Sequence, residues 1–278
     1  MGNANNYRVN SDRGVKFILE NIFVNNRLKY YDMYIKLAKE NGYTVTSYVD
    51  YLNSYINNKD KKVLILRHDI DSITPNPRKV FNIERKNGVK STYYFRWNTM
   101  DAHLINELNE NGFEVGLHYE TLATYCEKNN ITKVDDSIIK ICRENLKEEI
   151  AEFKRVTGVN IKTIANHGHP INVKLGMSNN MLIEDEDYLE YGILGEVYDK
   201  EFYKTVTTHI MDTNIMYNYG YAYKDNPIES ILNGDRVIVF LSHPEHWRYS
   251  VKGRCKLLIK LLLKKYTTST NREFKRIM

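Results

Sequence analysis

The stretch Val63-Leu64-Ile65-Leu66-Arg67-His68-Asp69-Ile70-Asp71 constrains the fold more than any other. A continuous apolar run of strand length that ends in ionisable groups is the pattern of a buried parallel strand delivering side chains to a site. Carboxylates and an imidazole beside apolar surface are costly unless a metal or a proton transfer requires them. The bland alternative is an Asp-rich turn after a strand, and the rest of the chain has to decide between the two.

Beyond Asp71 the pattern alternates. Strands are expected at 63–67, 91–95, 113–117, 161–165, 193–197, 205–210 and 237–241, with helices at 77–86, 102–111, 136–156 and 227–232. Strand then helix, repeated with short connections, implies parallel strands with helices outside, hence an α/β barrel or a doubly wound sheet. A length of 278 residues suits a single α/β barrel of roughly 250 residues. Upstream, Tyr30, Tyr31, Tyr34, Ile35 and Leu37 recur at helical spacing, Gly42 stands where a C-terminal cap would, and 49–56 is again amphipathic. Residues 1–60 therefore read as a helical extension packed on a barrel formed by 61–278.

Polar residues fall where the strands end. His68, Asp69 and Asp71 follow the first strand, Arg96 and Trp97 the second, and His118 and Glu120 the third. Asn166, His167 and His169 follow the fourth, Asp212 closes the sixth, and His243, Glu245, His246 and Trp247 follow the seventh. In an α/β barrel these ends open on one face, where active sites sit. Asp with two or three His is a ligand set for a divalent transition metal such as zinc, with a position left for water. A second Asp could take the water's proton and a His could protonate a leaving group, which is a hydrolase plan. No G-x-S-x-G elbow, Walker loop or G-x-G-x-x-G follows the first strand.

Composition narrows the classes further. A formal charge of +5 with acids and bases interspersed gives no reason to expect nucleic acid. Cys126, Cys142 and Cys255 are an odd set without a C-x-x-C pair, and they read as free thiols in a reducing compartment. No apolar run has signal-peptide or bilayer-spanning character, so a cytoplasmic protein is expected. The segment 256–265, with apolar residues flanked by lysines, reads as a basic helix that either covers the barrel or touches an anionic membrane.

Taken in order, Arg67-His68-Asp69-Ile70-Asp71, Gly116-Leu117-His118-Tyr119-Glu120, Asn166-His167-Gly168-His169-Pro170 and Leu241-Ser242-His243-Pro244 resemble the NodB-homology polysaccharide deacetylases, carbohydrate esterase family 4, in the divergent branch carrying R-H-D-x-D. The resemblance runs from about Lys62 to Trp247. It implies a distorted (β/α) barrel of about seven parallel strands that removes acetyl groups from amino sugars with a divalent metal. It further implies Asp69 as base, Asp71 and His118 as metal ligands, His243 as acid and Asp212 as its support.

Two departures stand out. The family's second motif is H-S/T-x-x-H, and here Leu122 stands where the second His is expected; the usual Arg-x-Pro motif is replaced around His167 to Pro170. Because a hydrolytic metal takes about three protein ligands, His167, just after a strand and before the pliant Gly168, is the expected replacement. His169 and Glu120 stand behind it, Glu120 also as a group that orients its neighbours. Arg67, Arg96, Trp97, Glu120, His169, His246 and Trp247 are the expected substrate contacts. The expected activity is deacetylation of an acetylated sugar in a glycan or surface-polysaccharide precursor. A metal-free glycan-binding barrel and an amidohydrolase of a small non-sugar amide are the rival readings.

Overall fold

The computed structural model describes residues 27–184, 186–212 and 227–247. Its centre is a sheet of parallel strands: β1 (Thr44–Thr46), β2 (Val63–Ile70), β3 (Thr92–Phe95), β4 (Glu114–Tyr119), β5 (Thr163–Asn166), β6 (Gly195–Glu196), β7 (Thr208–Met211) and β8 (Val237–Ser242). The order β6-β5-β4-β3-β2-β8-β7 curls into a distorted, partly open (β/α) barrel, as the sequence led one to expect. All seven expected strands are present.

One strand was not expected. β1 pairs Thr44 to Val63 and Thr46 to Ile65, while β3 pairs with β2 only from Arg67 onward. The opposite edge of β2 is paired to β8 from Val63 to His68. Thus β2 is flanked on both sides along most of its length, and part of the expected helical extension belongs to the sheet. Three residues without clear alternation give no periodic signal that could announce such a strand.

The helices are α1 (Leu28–Glu40), α2 (Tyr48–Asp50, continued by a wide turn over Tyr51–Tyr55), α3 (Asn76–Asn87), α4 (Ala102–Glu110), α5 (Thr121–Lys128), α6 (Asp136–Thr157), α7 (Pro170–Leu175), α8 (Lys200–Thr205), α9 (Pro227–Asn233) and α10 (Pro244–Trp247). Local chemistry sets their ends. Asp135 accepts from the backbone N–H groups of Ser137 and Ile138 to start α6, and Gly158 closes it in the left-handed conformation.

Strand alternation divides the core in two. Leu64, Leu66 and Ile70 of β2 pack outward with Tyr31, Phe81 and Leu117 beneath the helices, whereas Val63 and Ile65 point inward with Tyr48, Tyr51, Tyr94, Ala165, Phe202 and Val239. The same alternation sends His68 outward and Arg67 and Asp69 inward. Outside, His68 and Glu84 are wholly buried and joined at 2.7 Å. Glu84 also accepts from Tyr31 at 2.5 Å, Tyr93 at 2.6 Å and Ser91 at 2.9 Å, so all its burial is compensated by donors.

Inside, the barrel is stacked in layers. Thr92 pairs in register with Glu114, and Tyr94 with Gly116. A Cβ on Gly116 would stand 2.4 Å from the Tyr94 ring and 2.5 Å from the Thr163 carbonyl, so only glycine admits that ring. Below it Glu114 is held by Thr92 Oγ1 (2.6 Å), the Val49 N–H (2.8 Å) and Thr163 Oγ1. These layers make a solid floor beneath the strand ends.

Burial raises the Glu114 carboxyl to about 7, more than its hydrogen bonds lower it. A carboxyl with a raised folded pKa stabilises the fold most below its ordinary value of 4.5, and that stabilisation is lost as pH rises toward about 7. Glu114→Gln is therefore expected to gain on the wild type by about 3 kcal/mol between pH 4.5 and pH 8 in urea unfolding; a difference independent of pH would contradict a protonated Glu114.

Candidate active site

The inward column of each strand ends at the barrel mouth. From β2 come Asp69 and then Asp71; from β4, His118; from the residue after β5, His167; and from the ends of β7 and β8, Asp212 and His243. His118 lies in register with Ala165, which brings it beside His167, with ring centroids 4.9 Å apart.

Each acid has a defined counter-group. Arg67 grips Asp69 with both prongs, Nε to Oδ1 at 2.8 Å and Nη2 to Oδ2 at 2.7 Å. Burial alone would raise the Asp69 carboxyl, but the Arg67 guanidinium outweighs it and holds the group ionised below its ordinary value. Arg96 pairs with Glu120 at 2.8 Å. Asp212 accepts from the His243 backbone N–H and faces His243 Nδ1, both at 2.7 Å, with His246 Nδ1 at 3.3 Å. Burial lowers the His243 pKa, yet the Asp212 carboxylate more than reverses this and raises it to about 9, so the ring is cationic at neutral pH.

Asp71 is different. Its side chain faces imidazoles alone: His118 Nε2 at 3.5 Å, His167 Nε2 at 3.5 Å and His243 Nε2 at 3.7 Å, and its Oδ1 is buried without a hydrogen bond. His118 Nδ1 lies 2.9 Å from the Ala165 carbonyl, which can only accept, so Nδ1 carries the proton and Nε2 presents a lone pair. Burial keeps that ring neutral by lowering its pKa. His167 Nδ1 is held by Glu120 at 2.7 Å, which likewise turns Nε2 toward Asp71. Donor atoms of Asp71, His118 and His167 all lie within 4.8 Å of one another. An orphaned carboxylate oxygen and two imidazoles oriented from behind by a carbonyl and a carboxylate suit a zinc-like ion.

The expected site residues distribute as follows. Asp69, Asp71, His118, His167, Asp212, His243 and His246 come together, with Arg96 and Glu120 directly behind His167. Leu122 is 1% exposed and packed under the helices, so its position offers no ligand. Two expected substrate contacts are buried. Arg67 is 2% exposed and committed to Asp69, and Trp247 is 4% exposed, bonded to Ser242 and packed outward on Tyr31 and Phe240. His169 caps α7, accepting from the Ile171 N–H, and its Nε2 lies toward Glu127 at 3.8 Å. Trp97 is 38% exposed beside the mouth. Tyr198, whose hydroxyl accepts from Arg67 at 3.1 Å, was not anticipated. It stands two residues after β6, so the strand-end rule would have found it had the polar residues after that strand been weighed.

Fold and site together define a distorted (β/α) barrel with an Asp-His-His group beside an Asp-His pair at its mouth. No protein-family model matches the chain, and no curated protein does. Among solved structures it is similar to a family 4 carbohydrate esterase from Bacillus anthracis, 17% identical over 84% of this chain and 86% of that one, with a TM-score of 0.40. It is also similar to a mutant, with restored enzymatic activity, of a pseudoenzyme of that family from Bacillus anthracis, at 14% identity, 76% of this chain and TM-score 0.43. The chain spans 65% of the length of that protein. A polysaccharide deacetylase from Bacillus cereus is 18% identical over 74% of this chain and 89% of its own, TM-score 0.38.

If Asp71, His118 and His167 form one metal site, His167→Ala and His118→Ala are each expected to weaken zinc binding at least tenfold after chelation and reloading, whereas His169→Ala reloads like the wild type. Zinc titration by calorimetry checks this, and a zinc affinity unchanged in His167→Ala would remove it from the ligand set.

Proposed function

We propose that this chain is a metal-dependent hydrolase that removes an acetyl group from an acetylated amino sugar in a glycan or surface-polysaccharide precursor. The observation that carries the reading is Asp71: its carboxylate faces imidazoles and its Oδ1 is buried without a hydrogen bond, whereas Asp69 and Glu120 each have an arginine and both oxygens of Asp212 are taken by His243 and His246. Asp71, His118 and His167 would hold the ion. A divalent metal there polarises an acetyl carbonyl and makes water a competent nucleophile near neutral pH.

The remaining groups divide the proton transfers. Asp69 is kept ionised by Arg67, and its Oδ2 lies 3.2 Å from His118 Nε2, so an acceptor stands beside the ligand group without itself being surrendered to solvent. It is placed to take a proton from attacking water. His243 is cationic, is oriented through Nδ1 by Asp212, and turns Nε2 toward Asp71 across the mouth. It is placed to return a proton to the departing nitrogen, which leaves as an amine with acetate as co-product. Two groups with pKa values pushed in opposite directions thus take opposite roles. Among the described residues no helix is long and apolar enough to cross a membrane. The basic segment 256–265 lies outside the described residues.

The test is acetate release from N-acetylglucosamine oligomers by zinc-loaded protein. Asp69→Asn is expected to lower turnover by about 10²–10⁴-fold, the usual contribution of a general base, while zinc content stays at the wild-type level. Turnover retained within about tenfold would exclude Asp69 as base. Absence of zinc from protein reloaded after chelation would favour a glycan-binding barrel instead.

A further inference from the structure

Beside the mouth, α5 and α6 leave an open groove of about 980 Å³ that none of the groups above occupies. Its floor and walls include Trp97, Thr121, Thr124, Tyr125, Asn145 and Glu149. We propose that this groove is a second carbohydrate subsite, which holds an uncharged saccharide unit of the same glycan whose acetyl group lies at the mouth; the inference rests on the reading of the chain as a glycan deacetylase.

The groove has the chemistry of a sugar site. Trp97 is the largest exposed aromatic side chain among the described residues, and its ring offers an apolar platform of the size of a pyranose face. Glu149 lines the groove and accepts from Trp97 Nε1 at 3.4 Å and Thr121 Oγ1 at 3.0 Å, both through Oε2, which leaves Oε1 for a sugar hydroxyl. Charges nearly balance: Lys128 and Arg155 face Glu148, Glu149 and Glu152, and Arg155 is paired with Glu152. That balance disfavours a polyanion. The volume matches the upper end of the roughly 300–1,000 Å³ of ligand pockets, room for more than one ring.

The groove and the mouth draw on neighbouring residues of the chain. Trp97 follows Arg96 and Thr121 follows Glu120, and Arg96 and Glu120 form the pair that braces His167. Adjacent residues are only about 3.8 Å apart along the chain. The rim of the groove and the pair that braces His167 therefore share two stretches of backbone.

Fluorescence provides a direct test, because Trp97 is exposed whereas Trp247, the other tryptophan of the chain, is buried. Titration of the zinc-loaded protein with N-acetylglucosamine oligomers of increasing length is expected to quench emission, with affinity rising at least tenfold from the monosaccharide to the tetrasaccharide. Trp97→Ala and the shape-conserving Glu149→Gln, both checked for wild-type melting and zinc content, are expected to abolish most of that gain in calorimetric titrations, and Glu149→Gln is expected to leave monosaccharide hydrolysis unchanged. Affinity independent of length, or wild-type tetrasaccharide binding by both variants, would overturn the subsite. Length-dependent binding without acetate release would uphold the subsite and refute the deacetylase reading, whereas acetate release without length dependence would do the reverse.

Discussion

The two-pronged contact of Arg67 with Asp69 is the interaction on which the interior depends. Both side chains are almost completely buried, and an isolated ion at either position would be prohibitive in so dry a place. Removing one partner of such a pair typically costs about 3–5 kcal/mol, because the other charge is left buried and alone. With the pair intact, β2 can continue as regular strand through residues that would otherwise end it. The acids that follow then emerge at a fixed height above the Tyr94 and Gly116 layer.

From that base the mouth is organised by assigning counter-charges. Asp69 has Arg67, Glu120 has Arg96, and Asp212 has His243, each within hydrogen-bonding distance. These pairs do more than neutralise. Arg96 holds Glu120, which turns His167; Asp212 turns His243; the Ala165 carbonyl turns His118. The imidazoles are thereby aimed by groups behind them before any ligand arrives, which is the preorganisation that metal binding and proton transfer both reward.

Much of this was legible in the sequence, for identifiable reasons. Parallel strands buried on both faces leave apolar runs that need no alternation to be seen, so 63–67 and 237–241 stood out. The motifs marked Asp71, His118 and His243, and the lack of a His at Leu122 pointed to His167. What alternation alone could not tell was depth and direction. Arg67 looked like a substrate contact because the sequence showed its charge but not that the strand ran on past it to Ile70. Trp247 looked similar because four residues beyond His243 a helical turn carries the ring around to the outer core. Glu149 and the groove it lines arise from two helices joined only in space, and no local pattern in either announces them.

The outward side of β2 has a consequence for how the chain finds its alignment. His68 meets Glu84 on one face of the strand while Asp69 meets Arg67 on the other, so neighbouring residues are committed to opposite partners. A slip of one residue would turn Asp69 toward Glu84 and set two buried carboxylates against each other, with His68 displaced into the mouth. Apolar side chains on this strand tolerate exchange of faces far better, since Leu64 and Ile65 are nearly interchangeable in kind. The charged residues therefore act as a proofreading mark for strand alignment, rejecting the misaligned sheet that Val63 to Leu66 alone would accept.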